Sequence, residues 1–544
     1  MKNYLIKYFM MKNTKSILIV AIMATLLWSC GSTPAILSTP VENIDSTPLK
    51  VSELTEAEKQ NWGHLDLVKD TIPGMSVDKA YAEIIKGRKG ETVIVAVIDS
   101  GIDIDHEDLD DVLWTNTKEI PNNGKDDDKN GYVDDIHGWN FLGEAYDEQL
   151  EYVRLLASGN TSDPRFNEAK ETLEKEYGEA MNNKQRYEQI LQQVTTSDAA
   201  ISKHLGKSDY TLKEVNAIKD ESLAQDKGVI QQTFGFGIGT IAETKDALKE
   251  GVEYFTERLN FHFNKDFKGR KTGDDPDNLS EVGYGDGNVK PVKESESHGT
   301  HVAGIIAAER NNGKGANGVA NNVQIMSIRA VPNGDEYDKD VALAIRYAVD
   351  NGAKIINGSF GKSFSPHSDW VRDAIKYAGD NDVLFVHAAG NDSHDVDTNP
   401  NFPDDNVNGV EVSDTYIRVG ALAPKYGSEM IATFSNYGKQ NVDVFAPGAK
   451  VYSTVPFSDY DTKGGTSMAA PGVAGVAALI RSQHPDLTAA QVKQILMDSG
   501  LPVKTKVIVG GDAKDIRDFG TLTSSGKMVN AYNALIMASK MSKK

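Results

Sequence analysis

The stretch Val93-Ile94-Val95-Ala96-Val97-Ile98-Asp99-Ser100-Gly101 is an unbroken run of β-branched and small apolar residues that leads into a carboxylate. A strand of this composition is typical of parallel sheets that are covered on both faces. Similar apolar runs recur further along the chain and alternate with helix-like runs; they lie at 323–331, 353–356, 383–388, 416–421 and 442–446. This alternation predicts an α/β fold: a doubly wound, mostly parallel sheet with helices on both faces.

Two further stretches carry side chains that suit nucleophilic catalysis. His298-Gly299-Thr300-His301-Val302-Ala303-Gly304 opens a small-residue helix with a histidine. In Gly464-Gly465-Thr466-Ser467-Met468-Ala469-Ala470-Pro471-Gly472 a serine stands at a loop-to-helix junction, where backbone N–H groups are free to bind an anion. The chain order Asp99, His298, Ser467 is one of the known orders of a serine nucleophile with its base and orienting acid.

These three stretches resemble the active-site signatures of the subtilisin-like serine proteases, the subtilase family or peptidase S8, and the resemblance covers about 61–535. It implies that Ser467 is the nucleophile and that His298 is first the base and then the acid. It implies that Asp99 orients the imidazole. Asn391, at the end of the strand-like run 386–391, resembles the family's oxyanion donor.

The same resemblance implies where a peptide binds. An extended substrate would pair with the strand ending in Ser359, Phe360 and Gly361, and the first specificity pocket would lie between two walls. The residues of these walls are Ser359, Phe360, Gly361, Ala388, Ala389 and Gly390. Asn401-Phe402-Pro403 would lie near the floor, and His301 and His387 are interpreted as buried structural histidines.

The segment 123–135 is dense in oxygen ligands. Asp126, Asp128 and Asn130, followed by Gly131, match the first half of an EF-hand loop, but the twelfth position is His137, so the loop is not a full EF-hand. We expect a structural calcium site, and the alternative is a solvated acidic turn. The candidate ligands are Asp126, Asp128, Asn130, Asp134 and Asp135. No organic cofactor is expected.

The N-terminal residues 1–30 combine lysines, an apolar run over 17–28 and the sequence Leu27-Trp28-Ser29-Cys30-Gly31. This resembles the lipobox of bacterial lipoproteins, in which the cysteine is acylated and becomes the new N-terminus; a plain signal peptide is the alternative. Cys30 is the only cysteine, so no intramolecular disulfide can form. The resemblance implies lipid anchoring in the bacterial cell envelope, in the outer membrane facing the periplasm or at the cell surface.

The remaining organisation follows from composition. Residues 31–60 are predicted to be a tether. The protease domain is predicted in two parts, 61–142 and 274–544. The segment between them, 143–273, is predicted to be a mainly helical insertion with a thin core. The insertion is expected to pack on the protease, where it would cap the cleft or recognise a partner. The net charge of −21 argues against a nucleic-acid partner.

The leading hypothesis is therefore a membrane-tethered, monomeric serine endopeptidase that acts on peptides or proteins through an acyl-enzyme. The alternative is a catalytically silent lipoprotein that uses the same fold to bind peptides or envelope proteins. An esterase would require a Gly-x-Ser-x-Gly nucleophile elbow, and Ser467 is followed by Met468 and Ala469.

Overall fold

The structure is a computed structural model that describes residues 38–237, 239–293 and 295–542. Its centre is a nine-stranded sheet with the strand order β8-β9-β7-β6-β5-β4-β1-β3-β2. Seven of the eight adjacent pairs are parallel, and the last pair, β8 with β9 at one edge, is antiparallel. The strands are β1 (Val93–Asp99), β2 (Gly138–Asn140), β3 (Val323–Arg329), β4 (Ile355–Gly358), β5 (Leu384–Ala388), β6 (Tyr416–Leu422), β7 (Val444–Pro447), β8 (Leu501–Pro502) and β9 (Lys527–Met528).

Helices cover both faces of this sheet, as the apolar runs predict. Val93, Val95 and Val97 of β1 join one buried cluster, whereas Ala96 and Ile98 join another on the opposite face. The first face carries α9, α12, α13 and α14, and the second carries α10 and α11. The bounds of these helices are α9 (His298–Ala307), α10 (Asp338–Asp350), α11 (Ser368–Asp380), α12 (Thr466–Gln483), α13 (Ala489–Ser499) and α14 (Ala531–Met541).

Five further helices lie between β2 and α9. They are α4 (Glu151–Ser158), α5 (Phe166–Leu205), α6 (Leu212–Ala217), α7 (Ala224–Phe234) and α8 (Ile241–Glu257), and a π-helical turn, Arg258–His262, follows. With 40 residues, α5 is about 60 Å long. The predicted insertion is therefore helical, as its charged, helix-favouring sequence indicates.

The core of this insertion has two parts. The inner cluster includes Tyr152 and Phe263 and takes in Phe364 of the protease domain, so the base of the insertion packs on that domain as expected. The outer cluster consists of buried insertion residues alone, among them Val194, Ile201, Ile230 and Leu248. The insertion thus has an apolar core of its own, which the sequence analysis underestimated because its apolar residues come from segments that are far apart along the chain.

The predicted tether over 31–60 needs a correction for the residues that the structure describes. Val41 and Asn533 exchange two hydrogen bonds of 2.8 and 2.7 Å, and Ile44 is buried in an apolar cluster. Three short helices follow: α1 (Glu56–Asn61), α2 (Leu67–Asp70) and α3 (Val77–Ala80). The segment from Val41 onward is therefore packed on the domain, through the buried Ile44 side chain and the hydrogen bonds between the Val41 backbone and the Asn533 side chain.

Within the described ranges, none of the helices combines the length and the apolar character needed to span a membrane. Cys30 and the predicted signal peptide lie outside the described residues.

Candidate active site

The functional side chains gather where neighbouring parallel strands end. Asp99 is the last residue of β1, Ser359 follows β4, and Asn391 lies three residues beyond β5. These three strands are adjacent in the order β5-β4-β1. Loops at the carboxyl ends of parallel strands meet at one edge of the sheet, which is where α/β proteins place their sites.

Asp99 and His298 form a close pair. Asp99 Oδ1 lies 2.7 Å from His298 Nδ1 and also accepts a hydrogen bond of 2.8 Å from the Ser100 N–H. Gly299 permits this approach of α9 to β1, because a Cβ at that position would come within 2.3 Å of the Gly101 carbonyl oxygen. The Asp99 carboxylate is buried, whereas 38% of the His298 side chain is exposed and can face a substrate.

The contact with Asp99 changes the pKa of the His298 imidazole. Burial favours the neutral ring, but the charge of Asp99 and its hydrogen bond outweigh burial, so the pKa of His298 is raised above its ordinary 6.5. The hydrogen bond from Nδ1 also leaves Nε2 as the nitrogen that can accept a proton. His298 is therefore arranged as a general base whose protonated form is stabilised by Asp99.

Ser467 is the second residue of α12, which begins at Thr466. Its hydroxyl donates to the Ser359 carbonyl oxygen at 3.1 Å, and its own carbonyl accepts the Ser359 hydroxyl at 2.9 Å. That carbonyl is available because its helical partner would be the N–H of residue 471, which is a proline. Pro471 thus leaves a backbone acceptor that ties the start of α12 to the end of β4.

Asn391 is held so that its amide N–H₂ group has no acceptor among the described residues. Its Oδ1 accepts hydrogen bonds from the backbone N–H and the hydroxyl of Thr466, at 2.8 and 3.1 Å. Asn391 Nδ2 and the Ser467 backbone N both lie 3.6 Å from the position that a Cβ of residue 465 would occupy. Gly465 therefore keeps open a space between two donors, which is the arrangement required to stabilise an oxyanion.

A sequence model of the Subtilase family matches residues 90–521, which is most of the chain. The chain belongs to the subtilase family. The matching region includes Asp99, His298, Asn391 and Ser467, and the observed parallel sheet agrees with the fold predicted from the sequence.

Curated subtilase relatives align with this chain over part of their length. Thermophilic serine proteinase of Bacillus sp. (strain AK1) is 37% identical over 240 residues, which are 44% of this chain and 52% of that protein. Thermitase of Thermoactinomyces vulgaris is 35% identical over 249 residues, which are 46% of this chain and 78% of that protein. The chain thus spans about half the length of the first relative.

A solved structure of proteases from Pseudoalteromonas arctica covers 88% of this chain and 97% of its own. The sequence identity is 22% and the TM-score is 0.43.

The two predicted walls of the first specificity pocket approach a common residue, Asn401. A Cβ at Gly390 would lie 3.0 Å from Asn401 Nδ2, and a Cβ at Gly361 would lie 3.8 Å from both amide atoms of Asn401. Among the described residues, Gly361 has no backbone hydrogen-bond partner, so its N–H and C=O can pair with a peptide.

His387 is fully buried, with Nε2 2.8 Å from the Phe360 carbonyl oxygen and Nδ1 2.7 Å from the Tyr416 hydroxyl.

The insertion of this subtilase is joined to the segment that follows Gly361. Lys362 Nζ is buried and lies 2.8 Å from Glu151 Oε2 of α4 and 2.9 Å from Asp338 Oδ1 of α10. Burial opposes ionisation of Glu151, but Arg154 and Lys362 outweigh it and hold the pKa of Glu151 at about 2. Sequence reasoning missed Lys362, since no local motif marks a lysine whose partners lie far away along the chain.

The acidic loop groups only some of the predicted calcium ligands. Carboxylate oxygens of Asp126 and Asp128 and one of Glu119 all lie within 4.8 Å of one another. The Asn130 N–H bonds to both aspartates at 3.1 Å. Glu119 was missed because it stands outside the EF-hand-like run, and its position seven residues before Asp126 was the available signal.

The other two predicted ligands have different partners. Asp134 accepts hydrogen bonds from the backbone N–H groups of Asn123 and Gly124, at 3.1 and 2.8 Å. Asp135 is buried and accepts hydrogen bonds from the Tyr347 hydroxyl at 2.6 Å and from Asn116 and Asn130 at 2.9 Å. Asp134 and Asp135 thus have hydrogen-bond partners in the framework of the loop, and the set of five ligands stays a prediction.

Proposed function

We propose that the chain is a serine endopeptidase in which Ser467, His298 and Asp99 form the triad and a peptide is cleaved through an acyl-enzyme. The observation that carries this proposal is the 2.7 Å contact between Asp99 and His298 at the sheet edge where α12 presents Ser467. The family of the chain and the serine proteinases among its relatives support the same activity.

The reaction begins with a change of partner for Ser467. A peptide that pairs antiparallel with Ser359–Gly361 offers its own N–H to the Ser359 carbonyl oxygen, which accepts the Ser467 hydroxyl in the free protein. The freed hydroxyl turns to His298 Nε2, which takes its proton as Oγ attacks the scissile carbonyl carbon. Asn391 Nδ2 and the Ser467 N–H then stabilise the oxyanion.

Collapse of this tetrahedral intermediate breaks the C–N bond, and His298 gives its proton to the leaving amine. Water then attacks the acyl-enzyme, with His298 again as the base, and releases the acid product together with free Ser467. Asp99 stays ionised throughout and stabilises the imidazolium in both halves of the reaction.

Hydrolysis of an unfolded protein such as reduced casein tests this proposal. We expect the full-length chain in detergent to release new N-termini, and Ser467→Ala to lower kcat by more than about 10³-fold. A wild-type protein that binds peptides saturably but releases no new N-termini would contradict the proposal and favour the silent peptide-binding protein.

For the acidic loop we propose a structural calcium site held by Glu119, Asp126 and Asp128. Glu119 is 6% exposed, and its Oε2 has no hydrogen-bond partner in the described part of the chain, so a buried acceptor is left for a cation. Flexible oxygen donors of this kind suit Ca²⁺ better than a softer metal. The ion would neutralise three like charges and fix the loop; it would take no part in the hydrolysis.

We also propose that the protein is anchored by a lipid on Cys30, in the bacterial envelope. The support is the sequence alone: a lysine-flanked apolar run followed by the only cysteine of the chain. Labelling of cells with an alkyne analogue of palmitate tests it, since wild type should be marked and Cys30→Ala should not. Equal labelling of the wild type and of Cys30→Ala would contradict the proposal of a lipid on Cys30.

A further inference from the structure

Positive charge collects beside Ser467 in a chain whose net charge is −21. A cavity of about 700 Å³ opens next to the loop that precedes α12. Its lining includes the side chain of Phe434, the backbone of Gly464 and three lysines, Lys425, Lys450 and Lys463. The cavity is therefore lined by an aromatic residue and three lysines.

Local structure explains why two of these lysines stand together. The antiparallel hairpin of Val451–Val455 with Asp459–Lys463 pairs Val451 with Lys463. Lys450 consequently lies opposite Gly464, and a Cβ at Gly464 would be 3.7 Å from the Lys450 backbone N. The strand ends at Lys463, and only Gly464 and Gly465 separate it from α12, which carries Ser467, so both lysines are fixed close to the nucleophile.

The cavity lies apart from the walls that would hold the residues before the scissile bond. Within the described chain it shares no lining residue with Ser359–Gly361 or with Ala388–Gly390, the walls that hold the residues before the scissile bond. The strand that carries Lys463 lies against the start of α9, where His298 stands, since His301 Nε2 is 3.1 Å from the Asp461 carbonyl oxygen. His298 protonates the leaving amine, so the peptide released with that amine meets the cavity.

The lysines differ in how far they are neutralised. Lys425 forms an ion pair with Glu429, which also lines the cavity. Lys463 Nζ lies 3.7 Å from Asp461 Oδ2, and the Asp461 side chain is 60% exposed, so water screens this pair. Lys450 is exposed and its ammonium has no carboxylate partner among the described residues. Lys450 and Lys463 are thus available to a ligand.

We propose that this cavity binds a carboxylate of the substrate, located after the scissile bond, through the ammonium groups of Lys450 and Lys463. The inference rests on the proposed peptidase function and names a substrate class for it. Two sources supply such a carboxylate: an aspartate or glutamate side chain, or the free C-terminus of a short product peptide. A lysine ammonium is a point charge and accepts either source, while Phe434 covers the aliphatic part of the bound residue.

The test uses quenched-fluorescence peptides that differ only in Glu, Gln or Lys at the second and third positions after the scissile bond, all with an amidated C-terminus. At 50 mM salt we expect kcat/KM for the Glu peptides to exceed that for the Gln peptides by about 3- to 10-fold. The Lys peptides should be poorest. At 1 M salt the preference should fall towards unity, since exposed charges are then screened.

Variants assign the preference to the two lysines. The ratio of kcat/KM for Glu and Gln peptides should fall to about 1 in Lys450→Gln/Lys463→Gln, and it should be retained in Lys249→Gln, which changes an exposed lysine of α8. The ratio is compared between substrates within each variant, so a change in the pKa of His298 cancels. A wild-type ratio of 1 together with no preference for a free C-terminal acid in the series below, or a preference that persists in the double variant, would overturn the inference.

A second series separates the two sources. Peptides that end at the second position with a free acid or an amide report on the C-terminal carboxylate, and the internal Glu series reports on a side chain. Anisotropy binding of the Glu and Gln peptides to Ser467→Ala gives a readout without cleavage. Tighter binding of the Glu peptides without hydrolysis by the wild type would contradict the proposed peptidase activity but support the carboxylate site. Hydrolysis with no preference among the peptides would contradict only the carboxylate site.

Discussion

Asp99 does more than hold a ring in place: its charge decides at which pH His298 can act as a base. Because the pKa of His298 is raised, the imidazole is neutral only above that raised value, and the acid limb of kcat/KM should lie above pH 6.5. In Asp99→Asn the charge is lost, so the acid limb should move to lower pH while kcat falls by about 10⁴-fold. A pH profile of both proteins checks this; an unshifted acid limb would contradict the account.

Asn391 should contribute to kcat more than to KM. Its free Nδ2 is positioned for the oxyanion, which exists only in the transition state and intermediate, so Asn391→Ala should lower kcat by about 10²–10³-fold. KM for the same peptide should change little. Steady-state kinetics test this, with the melting temperature as a control that the loop remains folded; a rise in KM at constant kcat would show that Asn391 binds substrate instead.

At the scale of elements, the buried pair of Lys362 and Glu151 connects the insertion to the substrate-binding strand. Removing one partner of a buried ion pair leaves an uncompensated charge, so Lys362→Met should lower the free energy of unfolding by about 3–5 kcal/mol. Lys376→Met is the matched control, because Lys376 pairs with Asp380 on an exposed face of α11. Denaturant melts measure both, and equal losses would contradict a specific role of the junction.

The acidic loop gives an element-scale prediction about metal removal. Chelation with EGTA should lower the melting temperature of the wild type, and Glu119→Gln should weaken calcium binding. Asp134→Asn should retain most of the affinity, since Asp134 bonds to backbone N–H groups and an amide oxygen can still accept. Calcium titration of the three proteins decides the ligand set; a stronger effect of Asp134→Asn than of Glu119→Gln would favour the ligands predicted from the sequence.

At this scale, the sequence predicts those features that depend on a local pattern of residues. The apolar strands and the short motifs around Asp99, His298 and Ser467 are each readable along a few residues. The sequence predicts a mainly helical insertion but not the 40-residue length of α5, because Gly178 and several polar residues interrupt its apolar spacing. Lys362, Glu119 and the outer insertion core depend on contacts between distant segments, which no local pattern encodes.

For the whole molecule, the insertion is one body of helices attached at its base to the loops around the cleft. Arg165 at the start of α5 donates to the Ser363 carbonyl oxygen at 2.8 Å, and Lys362 binds α4. The insertion therefore contacts the chain just beyond Gly361. Gly361 belongs to the proposed wall for the substrate residues before the scissile bond. The cavity lined by Lys450 and Lys463 shares no lining residue with Ser359–Gly361 or with the described part of the insertion, so the proposed carboxylate site and the insertion involve different parts of the protein.

The central claim is that Ser467 is a nucleophile activated by the Asp99–His298 pair. The most direct measurement is fluorophosphonate labelling of the full-length chain in detergent, with the modified residue mapped by mass spectrometry. The account predicts a single adduct on Ser467 in the wild type and none in Ser467→Ala, with labelling strongly slowed in His298→Ala. A folded wild-type protein that stays unlabelled, or an adduct on any other residue, would contradict it.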